Sequence, residues 1–67
     1  MPTATVNGKE RQIRAGASIA DLLDELELDP RAVAVEYNRE ILKRDAYDGT
    51  SINEGDVLEI VRFVQGG

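Results

Sequence analysis

The chain has no cysteine and no histidine. It therefore lacks the usual transition-metal ligands, any thiol nucleophile and any disulfide staple. Redox compartment cannot be read from cysteine usage either. No apolar run approaches the length of a membrane span or a secretory signal, so a cytoplasmic protein is expected. A basic excess is also missing: 8 Lys and Arg stand against 13 Asp and Glu, for a formal charge of −5. That balance argues against nucleic acid, which wants a cationic face. It suits a partner with a basic docking surface, although acidity also serves plain solubility. Glycine-rich nucleotide motifs are absent, and Gly16 stands alone as loop punctuation.

What is present fits one small domain over residues 1–67. At this length a chain is near the lower limit for a self-sufficient core. Its 42 % apolar and 31 % charged residues are nevertheless too apolar a mixture for a disordered chain. Thr3 to Val6 reads as a strand that stops at Asn7-Gly8, a pair suited to a type I′ turn with φ > 0 at both positions. Lys9 to Ile13 returns as a more polar strand near a sheet edge. The loop Ala15-Gly16-Ala17 follows.

Ser18 opens the one clear helix, with Asp21 three residues on completing a capping box. Ile19, Leu22, Leu23 and Leu26 follow the i, i+3, i+4, i+7 rule and form a single apolar stripe. Asp21, Asp24, Glu25 and Glu27 lie largely off it. Nothing basic or chelating is grouped with these carboxylates, so they read as a solvated face. Leu28-Asp29-Pro30 should close the helix, because proline disfavours α geometry in the residue before it.

Val33, Val35 and Tyr37 alternate with smaller or polar residues from Ala32 onward and mark a third strand. Asn38-Arg39 turns the chain into a short fourth strand at Ile41-Leu42. Arg44 to Tyr47 reads as a turn of helix or an irregular segment, with Tyr47 as a lid on the core. Asp48-Gly49 and Asn53-Glu54-Gly55-Asp56 are turns. The last strand, Val57 to Val64, carries Leu58 and Ile60 on one register and Val57, Val61 and Phe63 on the other. Both faces are thus largely apolar, as in a central strand or one that also meets a partner. One helix cannot cover both faces of a sheet, so an α+β layer pair follows. The stripe should meet Leu58 and Ile60, leaving Val61 and Phe63 as an exposed docking patch or packed laterally under a loop.

The strand ends in Gly66-Gly67. One reading is a frayed or truncated end, where small residues are tolerated. The other is a tail that threads into another protein's active site, with the Gly67 carboxylate as the reacting group. Val64, Gln65, Gly66 and Gly67 could then extend roughly 13 Å beyond the fold. Both readings fit the tail taken alone.

Taken together, V-N-G near the start, A-S-I-A-D-L-L-D-E-L, V-A-V-E-Y-N-R-E-I-L-K-R and E-G-D-V-L-E-I-V-R-F-V-Q-G-G resemble the ThiS family, the sulfur carriers of thiamine thiazole synthesis. The likeness covers nearly the whole chain. Where the family pattern has glycine at Gln65 and after Asn38, proline at Lys43 and tryptophan at Tyr47, this chain departs from it. The resemblance implies the ubiquitin-like β-grasp fold, a mixed four- to five-stranded sheet packed on one helix, with the first and last strands parallel at its centre.

It also implies a chemistry. A C-terminal carboxylate is an anion at neutral pH and a poor electrophile. A ThiF-like adenylating enzyme would use ATP to turn Gly67 into an acyl-adenylate, and a persulfide sulfur donor would convert that to a thiocarboxylate. A ThiG-like thiazole synthase would then take the sulfur. Such a carrier binds no cofactor itself and supplies no catalytic side chain: it is a co-substrate, not an enzyme, and is expected to be a monomer. Val61, Phe63, Val64 and Gln65 would dock on the partner. A molybdopterin-type carrier or a ubiquitin-like modifier would use the same tail for another acceptor. A plain β-grasp interaction module would use only the apolar face.

Overall fold

Asparagine is the residue that turns both hairpins of this chain. Strand β1, Thr3–Val6, and strand β2, Lys9–Gln12, pair antiparallel around Asn7-Gly8, whose φ angles are 52° and 82°. These positive values are those of the expected type I′ turn. Strand β3, Val33–Tyr37, and strand β4, Glu40–Leu42, repeat the device around Asn38-Arg39, with φ of 50° and 73°. The computed structural model describes residues 1–63. In it β5, Val57–Arg62, enters between the hairpins, parallel to β1 and antiparallel to β3. The sheet order is β2-β1-β5-β3-β4. First and last strands are central and parallel, and the β-grasp expectation holds.

Helix α1, Ile19–Glu25, lies across this sheet. The capping box forms as expected: the Asp21 N–H donates to Ser18 Oγ at 3.1 Å, and the Ser18 N–H donates to Asp21 Oδ2 at 3.0 Å. The helix ends earlier than Pro30, however. Glu27 takes the left-handed conformation at φ 60°. Its N–H reaches the Asp24 carbonyl at 3.0 Å, while the Leu28 N–H reaches the Leu23 carbonyl at 2.8 Å. This pair of bonds is a Schellman motif, and it satisfies carbonyls that the last turn leaves open. It also folds Leu28 back onto the core. Pro30 instead opens a separate one-turn 3₁₀ helix, Pro30–Ala32, capped by Asp29.

The core lies between α1 and one sheet face. Ile19, Leu22 and Leu23 meet Val33, Val35, Leu58 and Ile60, with Tyr47 buried at the margin. Leu26, the fourth residue of the expected stripe, is the C-cap and only half-buried. Ile52 is a core residue that no periodicity announced. It is pinned where the segment 50–52 runs beside the start of the helix, through Ile52 N–H to Ala17 O at 2.9 Å and Ile19 N–H to Thr50 O at 2.9 Å. The helix carboxylates Asp21, Asp24 and Glu25 are exposed, as is Glu27 past the helix end.

Two measurements test this packing. Leu23→Ala should cost about 2–5 kcal/mol in a denaturant melt, because it empties a closed site, whereas Leu26→Ala should cost on the order of 1 kcal/mol. Equal losses would mean that the helix is rotated from the position described. Arg39 stands at a positive φ where the family pattern has glycine. Arg39→Gly should therefore stabilise the fold by up to about 1 kcal/mol, the strain relieved exceeding the added chain entropy. A loss of stability would show that the Arg39 side chain contributes more than its backbone costs.

Candidate functional site

Strand β5 separates its side chains by parity. Leu58 and Ile60 point into the core, while Val57, Val61 and Phe63 are 46 %, 58 % and 52 % exposed. The two-faced reading of this strand therefore holds, and lateral burial of Val61 and Phe63 under a loop does not occur. The backbone is paired to its last described residue: the Phe63 N–H donates to the Ala32 carbonyl at 2.8 Å. Val61 and Phe63 thus stand on the exposed face at the end of β5. Val64, Gln65, Gly66 and Gly67, the remaining expected site residues, lie outside the described residues.

Both turn asparagines reach β5. Strand β1 stops at Val6, so its parallel ladder with β5 covers only Thr5↔Val57 and Val6↔Leu58. Asn7 extends it: its backbone N–H donates to Leu58 O at 2.9 Å. Its side-chain amide accepts from the Ile60 N–H at 2.7 Å and donates to the Ile60 carbonyl at 3.2 Å. A side chain stands in for the missing strand residue. At the other end of β5, Asn38 Oδ1 accepts from the Val57 N–H at 2.8 Å, and the Asn38 N–H donates to the Val57 carbonyl at 2.8 Å. Sequence reading found these asparagines as turn residues and missed them as clamps. The partners lie 53 and 19 positions away, beyond the reach of any local pattern.

Asp56, just before β5, ties the same end together. Its carboxylate accepts from the Tyr37 hydroxyl at 2.6 Å, the Asn53 N–H at 2.7 Å and the Asn38 amide at 3.2 Å. Burial alone would raise its pKa. The three hydrogen bonds outweigh that and hold it below the ordinary carboxylate value. The Tyr37 hydroxyl is shifted up in turn, first by the bond it donates to Asp56, then by burial and the adjacent negative charge. No pocket and no metal-capable group of side chains occurs among the described residues, and no helix there is long and apolar enough to cross a membrane. What the described residues offer is an exposed apolar face on β5 and a backbone paired as far as Phe63.

Comparison with known proteins agrees in fold and in family. The ThiS family model matches residues 4–67. Over 62 residues the chain is 47 % identical to a thiazole synthase of Paramagnetospirillum magneticum, covering 92 % of this chain but only 19 % of that protein's length. The sulfur carrier protein ThiS of Bacillus subtilis is 38 % identical over 63 residues, with 92 % of this chain and 96 % of that protein covered. The crystal structure of the thiamine biosynthesis protein ThiS from Geobacter metallireducens superposes with a TM-score of 0.80 at 35 % identity, covering 97 % of this chain and 99 % of that one.

The Asp56 junction makes stability depend on pH with a definite sign. A carboxylate whose pKa is lowered by folding stabilises the native state above its unfolded value, near 3.9, and loses that contribution as pH falls through the folded value. Asp56→Asn should cost about 1–2 kcal/mol at pH 7 through weakened hydrogen bonds. Below about pH 4 the variant and parent should converge, with the remaining acid slope coming from Asp21 and Asp29, whose pKa values are also lowered. Urea melts across this range check it. Parallel curves for the two proteins would rule Asp56 out as a source of the acid limb.

Proposed function

The chain belongs to the ThiS family, and from that premise we propose that it carries sulfur for thiamine thiazole synthesis on the carboxylate of Gly67. A ThiF-like enzyme adenylates this carboxylate with ATP, releasing pyrophosphate. The terminal sulfur of a persulfide displaces AMP, and cleavage of the resulting acyl disulfide by a thiol leaves a thiocarboxylate. That soft nucleophile delivers its sulfur to a precursor held on a ThiG-like thiazole synthase. The carrier acts as a cytoplasmic, monomeric co-substrate, and ATP is the activating enzyme's cofactor, not its own.

The observation that carries this reading is the clamped exit of β5. Asn38 holds its start at Val57, Asn7 its middle at Ile60, and the Phe63 N–H is bonded to the Ala32 carbonyl beyond its end, so the strand is fixed up to the last described residue. Val61 and Phe63 give a partner an apolar hold beside that residue, and in this reading Val64 and Gln65 are further docking residues ahead of the reacting Gly66 and Gly67. Support for thiazole synthase as the acceptor comes from the Paramagnetospirillum enzyme, part of whose length matches this chain.

The test is positional. Gly67 must be the chemical end of the polypeptide, which the intact mass of the purified protein checks first. One alanine added after Gly67 moves the carboxylate by roughly 3.3 Å. A misplacement of about 1 Å can cost on the order of 100-fold in rate. The extended protein should therefore lose ATP–pyrophosphate exchange with the adenylating enzyme while its melting curve is unchanged. Incubation of the parent with that enzyme, ATP and a persulfide source should replace one oxygen by sulfur in the intact mass. Exchange at the parent rate by the extended protein would remove Gly67 as the reacting group.

A further inference from the structure

Of the three asparagines in the chain, Asn7 alone is followed by glycine. Asparagine loses its amide spontaneously when the backbone nitrogen of the next residue attacks its Cγ. Glycine hinders that approach least, having no β-carbon, whereas Asn38 and Asn53 are followed by the bulkier Arg39 and Glu54. Asn7 and Gly8 are both exposed, hence open to water, and the Gly8 N–H meets no acceptor among the described residues.

What opposes the attack is the fold. Asn7 Oδ1 accepts from the Ile60 N–H at 2.7 Å, and Nδ2 donates to the Ile60 carbonyl at 3.2 Å. Both ends of the amide are thus held against β5, while reaction needs its face turned to the Gly8 nitrogen. Ring closure also forces the Asn7 backbone out of its turn conformation, because it ties Cγ to that nitrogen.

We propose that Asn7 is a modification site, protected while its side chain holds Ile60 and deamidated by water when that hold opens. Hydroxide takes the Gly8 amide proton, the nitrogen bonds to Cγ, and ammonia leaves with a proton from water. The cyclic imide then takes up one water. Opening at Cγ gives aspartate; opening at the Asn7 backbone carbonyl gives isoaspartate, with the chain routed through the former side chain. The sum is amide plus water to carboxylic acid plus ammonia, with no change of oxidation state. Either product weakens the hold on β5. A carboxylate has no hydrogen to donate to the Ile60 carbonyl. Isoaspartate also adds a methylene to the backbone of the two-residue turn between Val6 and Lys9, whose length sets the hairpin register. Opening permits the modification, and the modification keeps that side of β5 open. None of this depends on what the chain end carries.

Incubation at mildly alkaline pH with and without urea, read by ion exchange and peptide mass, tests the site. In urea Asn7 should deamidate faster than Asn38 and Asn53. Folded, it should react at least about tenfold more slowly than in urea, as two ordinary hydrogen bonds would hold it. The isoaspartyl protein, separated by its extra negative charge and refolded, should melt below the parent and exchange the Ile60 amide hydrogen at least about tenfold faster. Asn7→Asp, which keeps the backbone length, should show a smaller fall in Tm. Equal Asn7 rates with and without urea would show that the hold protects nothing, and a rate in urea no faster than at Asn38 and Asn53 would show that the site is not special. Parent-like melting and Ile60 exchange in the isoaspartyl protein would show that the hold survives modification. Any one of these results overturns the proposal.

Discussion

Everything in this fold hangs on holding β5 in one register between two hairpins that are far from it in sequence. The antiparallel ladder with β3 runs over five residue pairs, Val33↔Arg62 to Tyr37↔Leu58, whereas the parallel pairing with β1 supplies only two before β1 turns away, so the β1 side of the strand is the thinly held one. The Asn7 side chain extends that side by bonding both backbone groups of Ile60. Asn38 does the equivalent at Val57, reinforced by Asp56 and Tyr37. The choice of residue is physical. Asparagine tolerates a positive φ better than other side chains with a β-carbon, and its amide carries both a donor and an acceptor. One residue can therefore make the turn and complete the neighbouring ladder.

Backbone strain falls elsewhere as a result. Arg39 and Glu27 occupy left-handed positions without glycine's freedom or asparagine's tolerance. Both stand at ends of elements, Arg39 in the β3–β4 turn and Glu27 after α1. Neither is in the core or among the residues that clamp β5. The Schellman closure offsets the strain at Glu27, since it satisfies carbonyls and brings Leu28 onto the core. No comparable offset is visible at Arg39, which makes that position the better target for stabilisation.

Much of the fold was legible because local rules and global architecture agree. The Asn7-Gly8 turn, the Ser18–Asp21 capping box and the stripe of Ile19, Leu22 and Leu23 all announce themselves within a few residues. The helix end did not, because Pro30 is a conspicuous stop signal whereas a left-handed Glu27 has no signature in composition. Ile52 was invisible for a related reason. It sits in an irregular segment with no period, and its burial depends on Ala17 far earlier in the chain. Of the site, the exposed parity of Val61 and Phe63 followed from alternation alone. The clamps of Asn7 and Asn38 did not, because long-range hydrogen bonds leave no local trace.

The two faces of β5 meet different demands, and the register set by the β3 ladder and the core keeps them apart. Leu58 and Ile60 contribute to stability on the helix side; Val57, Glu59 and Val61 form the surface on the other. A slip of one residue would exchange these sets, sending Glu59 into the core and Leu58 into solvent. Burial of an unpaired carboxylate is penalised strongly enough to oppose a complete slip without help. A partial loosening near Ile60 would meet no such penalty, yet it would blur the point from which the chain departs. The core therefore specifies which face is which. Asn7 adds two side-chain bonds at Ile60 that hold the strand to that choice on the side where β1 has turned away.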